Sequence, residues 1–362
     1  MNNPPHKIVL EASALEGKFT DQDITDLRSM EDYFRSALVE FKQLDQGVEL
    51  ASSDSAKARL ISLYETMGKS MQEIVAREKG KIFVYSFLQP RESHGEASRL
   101  IAKLRDVGTQ HEEFVYYIQR GYELLFNLAF AMGVEQKKHH LIVRTPVTYP
   151  VQNFAVHKLP NVDHELRNCV MCVLLRGALL PSMIMSKEIQ EYSTNDYVTP
   201  FALFRIKRND ARSGADMEYI MDLDASYFDP AALHDKDLVF ADPMNATGGS
   251  LVTVVEYLRS IGVRPRSVNC FNVISALKGS LQIIRSVENA RIFTLWMDPV
   301  LNEKAYIMPG LGDAGDRLNG CDTAEYPRNM IQLIADYGSN IANLYRSQVR
   351  QIEQTVLRPR SM

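Results

Sequence analysis

Hydrophobic positions along the first eighty residues recur at helical spacing. From Leu27 to Phe41 the apolar residues fall three or four positions apart, which places them on one face of a helix. A second apolar face follows, made by Leu60, Leu63, Tyr64, Met67, Met71 and Ile74. The polar stretch Ala51–Ser55 between the two is predicted to form a loop and a cap. The beginning of the chain is therefore predicted to be mainly helical.

The pattern changes after a third helix, predicted over Glu112–Met132. Short apolar or β-branched runs then predict strands at Leu141–Val143, Phe154–Val156, Cys169–Leu175, Leu238–Ala241 and Val268–Val273. Between the last two strands, helical spacing predicts a helix over Ser250–Ile261 that ends at Gly262. Strand, helix and strand in succession favour a parallel sheet. A further helical stripe predicts a long helix from Asn329 onward.

Composition narrows the class of protein. The chain has 362 residues, 45% hydrophobic and 24% charged, as in soluble globular proteins with one core plus additions. Its formal charge of −4 argues against general nucleic-acid binding. No stretch resembles a signal peptide or reaches the ~20 apolar residues of a membrane span, so we expect no membrane association.

Cysteine usage points to a reducing cytoplasm. The chain has four cysteines, too few for a disulfide framework at this length: Cys169, Cys172, Cys270 and Cys321. Cys169 and Cys172 form a C-x-x-C pair, but they lie in an apolar run and no second pair completes a zinc site. We interpret them as core residues of a strand.

The segment Asp242–Ser250 has the properties of a phosphate-binding loop. It joins an apolar strand to an amphipathic helix and contains Gly248 and Gly249. Glycines allow positive φ angles and close approach to a ligand, and the first N–H groups of a helix attract anions. Asp242, at the end of its strand, is placed to accept hydrogen bonds from ribose hydroxyls. A plain turn with Ser250 as helix cap is the simpler alternative.

The residues of this loop resemble the phosphoribosyl-diphosphate motif of uracil phosphoribosyltransferases. The resemblance implies that the diphosphate substrate contacts Asp242, Pro243, Met244, Asn245, Ala246, Thr247, Gly248, Gly249 and Ser250. Asn245 departs from the family, which has leucine there.

A second segment, Asn302–Arg317 with Asp298 before it, is similar to the uracil-binding segment of the same family. A loop of exposed backbone donors and acceptors can recognise a small planar base without charge, and it would discriminate against the amino group of cytosine. The resemblance implies that the base contacts Ile307, Gly312, Asp313 and Ala314. It also implies that Asp313 reaches the ribosyl diphosphate or its metal ion. Tyr306 is interpreted either as a stacking residue or as a structural one.

Two arginines complete the resemblance. Val173–Gly177 resembles the family turn whose arginine holds the diphosphate, which implies this role for Arg176, although the order Arg-Gly-Ala is reversed here. Phe201–Arg205 resembles a second such segment and implies a diphosphate contact for Arg205. The following stretch, Ile206–Ala215, is basic where the family is usually acidic. Its cations are candidates for extra anion contacts or are solvated charges: Lys207, Arg208 and Arg212.

Together these features predict an α/β fold of the phosphoribosyltransferase type, with a mostly parallel sheet flanked by helices. The resemblance implies a domain over 85–322, with helical extensions over 1–84 and 323–362. It also implies a magnesium-dependent enzyme that makes UMP and pyrophosphate from uracil and phosphoribosyl diphosphate in pyrimidine salvage, as a homodimer or larger oligomer. Asp242, Arg176 and Arg205 are the catalytic candidates, and no motif supplies a proton-transfer base.

Other functions stay open at this point. A regulatory homologue that senses nucleotides with little or no activity would keep the same loops. An enzyme acting on another base is disfavoured by the uracil segment, and an RNA-binding regulator is disfavoured by the acidic charge.

Overall fold

The computed structural model describes residues 6–45, 50–88, 91–131, 138–195, 197–209, 211–320 and 332. The helices are α1 (Ala12–Glu16), α2 (Asp21–Asp45), α3 (Leu50–Arg77), α4 (Tyr85–Leu88), α5 (Arg91–Arg105), α6 (His111–Phe126), α7 (Asp163–Leu166), α8 (Leu179–Tyr192), α9 (Pro230–Leu233), α10 (Gly249–Ser260), α11 (Leu277–Ser286) and α12 (Ala314–Asn319). The strands are β1 (Lys7–Glu11), β2 (Ile82–Val84), β3 (Lys138–Arg144), β4 (Phe154–Pro160), β5 (Cys169–Leu175), β6 (Phe201–Arg208), β7 (Glu218–Tyr227), β8 (Asp237–Ala241), β9 (Met244–Asn245), β10 (Ser267–Ala276), β11 (Ala290–Asp298), β12 (Val300–Leu301) and β13 (Ile307–Met308).

A nine-stranded sheet forms the centre, in the order β1-β7-β6-β5-β8-β10-β11-β2, with β9 pairing to β10. The strands from β6 to β2 in that order pair in parallel, while β7 runs antiparallel to both β6 and β1. Helices cover both faces. This arrangement confirms the predicted fold class.

The central strands are apolar throughout because both of their faces are covered. All seven residues of β5 are buried. Val170 and Cys172 point into a cluster that contains α10 and α11, whereas Cys169 and Met171 point into a second cluster with α6 and α8. The interpretation of the cysteine pair as core residues is confirmed, since both thiols are buried and free.

The two N-terminal helices predicted from the apolar stripes are confirmed, but the loop predicted over Ala51–Ser55 is wrong, because α3 begins at Leu50. Serine and aspartate lower helix propensity by only about 0.5 kcal/mol each, and packing of the following stripe outweighs that cost. The guanidinium of Arg59 pairs with both carboxylate oxygens of Glu40 at 2.9 Å and so fastens α3 to α2.

The N-terminal segment is docked on the central layer. Arg285 of α11 forms ion pairs with Asp23 of α2 and with Glu78, and Lys278 pairs with Glu16 at 2.6 Å. Strands β1 and β2, which fall inside the predicted extension, pair with β7 and β11 of the main sheet. The predicted domain boundaries stay a prediction.

The third predicted helix is confirmed as α6, which continues as a π-helical turn over Asn127–Ala131. The two strands that follow it form a separate antiparallel hairpin, β3–β4, outside the main sheet. The terminal helix predicted from Asn329 onward lies outside the described residues, apart from Gln332, which is helical. None of the described helices is long and apolar enough to cross a membrane.

Candidate active site

Parallel strands of the main sheet end at one edge, and polar residues lie at these ends. Arg176 follows β5, Arg208 ends β6, Asp242 follows β8 and Asp298 ends β11. Because the carboxyl ends of parallel strands share an edge, residues far apart in the chain meet there. A cleft of about 250 Å³ opens at this edge.

Both predicted ligand loops line this cleft. The first contributes Asp242, Met244, Asn245, Ala246, Thr247, Gly248 and Ser250, and the second contributes Tyr306, Ile307, Gly312, Asp313, Ala314 and Gly315. Arg176, Gly177, Lys207, Arg208 and Asn272 also belong to the lining. Pro243, Gly249 and Arg205 are not among these lining residues. The structure thus brings together the two segments on which the predicted activity depends.

The phosphate loop turns sharply at Gly248, whose φ is +76°. A side chain there would place its Cβ 2.9 Å from the carbonyl oxygen of Gly279, so only glycine fits without a shift of the backbone. Helix α10 then begins at Gly249, and its first N–H groups lack intrahelical partners. This is the geometry that binds anions at a helix N-terminus.

Gly249 makes a close contact within the protein that the sequence did not predict, while its predicted contact with the diphosphate stays a prediction. A Cβ on Gly249 would lie 2.1 Å from the Cζ of Tyr219, a residue of β7. The space left by the missing side chain is therefore filled by a tyrosine ring of the protein. Sequence patterns give no sign of this contact, because β7 is distant in the chain and its register is set by the sheet.

Asn245, which departs from the family, is buried and uses its side-chain amide in a hydrogen bond within the protein. Its Nδ2 donates to Ser275 Oγ at 2.8 Å, and Ser275 lies 2.9 Å from Ser280 Oγ. The polar side chain is thereby satisfied inside the protein, as burial requires.

Asp242 is half-buried at the base of the cleft. One carboxylate oxygen accepts from the N–H of Met244 at 3.3 Å, and its main-chain carbonyl accepts from Asn272 Nδ2 at 2.8 Å. Burial raises the pKa of the Asp242 carboxyl to about 7, with a further upward contribution from the charge of Asp313. Asp242 thus faces the cleft with remaining capacity to accept hydrogen bonds.

The second loop is shaped by positive φ angles at Gly310 and Gly312. A Cβ on Gly310 would lie 2.2 Å from the carbonyl oxygen of Ile307, whereas Gly312 is exposed and a Cβ there would lie 3.8 Å from Arg317 Cδ, an ordinary contact. Asp313 caps α12 by accepting from the N–H of Asp316 at 2.9 Å. Ile307 and Ala314 present buried apolar walls to the cleft.

Asp298 fixes this loop, hereafter the base loop, by a hydrogen bond to its backbone. It is 1% exposed, accepts from the N–H of Gly310 at 3.0 Å and pairs with Arg105 Nη2 at 2.5 Å. Burial raises the pKa of the Asp298 carboxyl, and Arg105 opposes that shift. Asp298 is not among the lining residues of the cleft, so the structure makes it a support of the base loop. Sequence reasoning missed Arg105 as its partner.

Arg176 bridges its turn to α12. Its Nη1 donates to the carbonyl of Gly320 at 2.6 Å, and its Nη2 lies 2.7 Å from Asp316 Oδ1. The Leu175–Arg176 peptide bond is cis. A Cβ on Gly177 would lie 3.4 Å from the Cα of Gly315, so the two turns pack closely.

Arg208, at the end of β6, lines the cleft with its neighbour Lys207. It donates to the carbonyl of Ala305 at 3.1 Å, and its Cζ lies 5.4 Å from the centre of the Tyr306 ring. Arg205 lies three residues earlier in the same strand, where its backbone N–H donates to Ser226 Oγ. The position at the strand end is what places Arg208 on the cleft.

Comparison with known proteins agrees with this geometry. A family model described as uracil phosphoribosyltransferase matches residues 92–321. The chain belongs to the uracil phosphoribosyltransferase family. The predicted family and the predicted enzyme class, a pentosyltransferase, are thereby confirmed.

Individual relatives have modest identity. A uracil phosphoribosyltransferase of Dictyoglomus thermophilum is 30% identical over 227 residues, which are 63% of this chain and 96% of that protein. One from Clostridioides difficile is 40% identical over 91 residues, which are 25% of this chain and 43% of that protein. The structure of the AQ2163 protein from Aquifex aeolicus is similar at 24% identity and a TM-score of 0.47, covering 66% of this chain and 98% of that one.

Proposed function

We propose that the protein transfers the phosphoribosyl group of phosphoribosyl diphosphate to uracil, giving UMP and pyrophosphate. The observation that carries the proposal is that the phosphate loop and the glycine-rich base loop line one cleft. A role in pyrimidine salvage follows from these products. The buried free thiols of Cys169, Cys172 and Cys270 fit a reducing compartment, the cytoplasm.

In the proposed complex, the N–H groups that open α10 bind the sugar phosphate, and Asp242 accepts hydrogen bonds from the ribose hydroxyls. The base lies against Ile307, Gly312 and Ala314, with main-chain groups of the loop meeting its polar edge. The anomeric C–O bond to pyrophosphate breaks while a bond to uracil N1 forms, and the N1 proton passes to the leaving pyrophosphate or to water. No histidine is found among the described residues that line the cleft.

The departing diphosphate needs positive charge. We propose that Arg208 supplies it at the end of β6 and that Arg176 contributes after exchanging Asp316 for a phosphate oxygen. The role that the resemblance implied for Arg205 stays a prediction. Arg208→Gln is expected to raise the KM for phosphoribosyl diphosphate and to lower kcat. Together these changes should lower kcat/KM by about 10- to 100-fold. If Arg205→Gln lowered kcat/KM more than Arg208→Gln did, Arg205 would be the residue that stabilises the departing diphosphate.

Magnesium fits the cleft as an ion held mainly through the diphosphate. Among the described residues, no cluster of three or more histidine, cysteine or carboxylate side chains is able to hold a metal alone. Asp313 faces the cleft with a carboxylate, the ligand type that Mg²⁺ prefers, and it is a candidate protein ligand. When bound, the ion neutralises charge on the leaving diphosphate.

We also propose a homodimer or larger oligomer. The hairpin β3–β4 exposes apolar side chains that a monomer would leave in water, including Ile142, Tyr149, Phe154 and Val156. Sedimentation velocity should show an oligomer for the natural chain and dissociation for Ile142→Asp combined with Val156→Asp. A monomeric natural chain contradicts this proposal.

The proposed reaction is tested with purified protein, phosphoribosyl diphosphate, Mg²⁺ and a panel of uracil, cytosine, orotate, adenine and hypoxanthine. Of these bases, only uracil should give products, with nucleotide and pyrophosphate formed in equal amounts. Binding of phosphoribosyl diphosphate without turnover on any base would instead support a regulatory homologue.

A further inference from the structure

Tyr219 of β7 packs directly against the phosphate loop. It is 1% exposed, and its ring lies over Gly249, as described above. Its hydroxyl donates to Thr247 Oγ1 at 2.6 Å. A residue of the antiparallel part of the sheet is thus hydrogen-bonded to the loop that follows β8.

This contact has a consequence for the Thr247 hydroxyl. A threonine hydroxyl has one proton to donate and two lone pairs that accept. In Thr247 both lone pairs have donors, because Tyr219 Oη donates at 2.6 Å and the N–H of Gly249 donates at 3.3 Å. The proton of Thr247 therefore remains as the group available to a ligand in the cleft.

We propose that Tyr219 is a positioning residue, which directs the Thr247 hydroxyl proton towards an oxygen of the bound sugar phosphate. This inference rests on the proposed function, in which the phosphate lies at the start of α10. Phosphate oxygens only accept hydrogen bonds. A hydroxyl whose proton already points into the cleft therefore binds them without the free-energy cost of being reoriented.

A second cavity explains why the orientation needs a fixed partner. It has a volume of about 270 Å³ and lies between the N-terminal helices, α11 and residues 299–303, which follow β11. Thr247 and Ala305 line both this cavity and the cleft, and Tyr219 lines the second cavity. Without the phenolic hydroxyl, Thr247 would be left to bond solvent on that side and to rotate its proton away from the cleft.

The test measures ligand affinity directly by isothermal titration calorimetry in the presence of Mg²⁺. Tyr219→Phe keeps the ring that covers Gly249 and removes only the hydroxyl, and circular dichroism verifies the fold. We expect roughly tenfold weaker binding of phosphoribosyl diphosphate and of ribose 5-phosphate, with pyrophosphate binding unchanged. Tyr227→Phe, on an exposed tyrosine of the same strand, is the matched control and should bind all three ligands like the natural chain.

A double-mutant cycle separates positioning from simple packing. Thr247→Val should weaken ribose 5-phosphate binding, Thr247→Ser should preserve it, and Tyr219→Phe should add less than a twofold effect in the Thr247→Val background. Equal effects of Tyr219→Phe in both backgrounds, tighter binding by Tyr219→Phe, or natural affinity in Thr247→Val would each overturn the inference. If the natural chain bound no phosphoribosyl diphosphate at all, the proposed function itself would fail.

Discussion

Two carboxylates lie at the ends of parallel strands in this sheet, and their surroundings differ. Asp242 follows β8 and faces the cleft, where the N–H of Met244 is its donor. Asp298 ends β11 and is fully enclosed, with donors from Gly310 and Arg105. The same residue type at equivalent strand ends therefore supports two tasks. One carboxylate keeps acceptor capacity for a ligand, while the other uses its oxygens to hold a loop.

The difference shows that one carboxylate is available at the cleft while the other stabilises the structure of a loop. A buried carboxylate beside an arginine is stable only while both partners are present, because either one alone would be an uncompensated buried charge. Burial raises the pKa of both carboxyls, but Arg105 opposes the shift at Asp298, whereas the charge of Asp313 adds to it at Asp242. Variants of these two residues should consequently separate loss of stability from loss of activity.

The largest effect is expected for Asp298→Ala. The change leaves Arg105 without its partner and the N–H of Gly310 without its acceptor, which should lower the free energy of unfolding by about 3–5 kcal/mol in urea denaturation. Asp32→Ala, which removes an exposed ion pair with Arg35, is the control and should lower it by less than about 1 kcal/mol. Equal stability of the two variants would mean that Asp298 does not support the loop.

Asp242→Asn should do the reverse, with a loss of activity and no loss of stability. Replacing the charged acceptor of the ribose hydroxyls is expected to lower kcat/KM for phosphoribosyl diphosphate by about 100-fold. Steady-state kinetics with uracil measure this loss, and thermal denaturation measures the stability. If the variant kept natural turnover, Asp242 would not be part of the active site.

The raised pKa of Asp242 adds a pH dependence with a definite sign. Since the folded pKa of about 7 exceeds the ordinary value of 3.8, the stability contribution of this carboxyl is complete below about pH 4 and is lost as the pH rises through 7. Asp242→Asn should therefore gain Tm relative to the natural chain between pH 5 and pH 8. In the natural enzyme, kcat/KM should fall about tenfold per unit below pH 7, and the variant should lack this limb.

Alanine substitutions at the glycines of the two loops should have the smallest effects on stability. Gly249→Ala forces its Cβ into the Tyr219 ring and should lower the free energy of unfolding by about 2 kcal/mol. Gly312→Ala makes only an ordinary contact, 3.8 Å from Arg317 Cδ, but keeps φ at +77°, which should cost about 1 kcal/mol. Gly95→Ala, in α5 with nothing near its Cβ, is the control and should be neutral or stabilising. An unaffected Gly249→Ala protein would show that Tyr219 does not fill that space.

Much of this site was predictable because its loops are continuous in the chain. The residues Asp242–Ser250 carry the strand end, the turn and the helix start within one segment, so local patterns define the phosphate loop. The base loop is continuous as well. Periodicity likewise located β5, β8, β10 and α10, since strands covered on both faces are apolar throughout. The loop predicted at Ala51–Ser55 failed because polar residues tolerate a helix when their neighbours pack.

Sequence alone thus determined the family, the parallel core and the two loops that line the cleft, since each depends on residues adjacent in the chain. Tertiary structure decided which side chains complete the site. Arg208 rather than Arg205 reaches the cleft because of where β6 ends, and the partners of Asp298 and Thr247, namely Arg105 and Tyr219, come from distant elements. Hydrogen bonds and burial depend on distances in space, and these are set only when the sheet and its helices assemble.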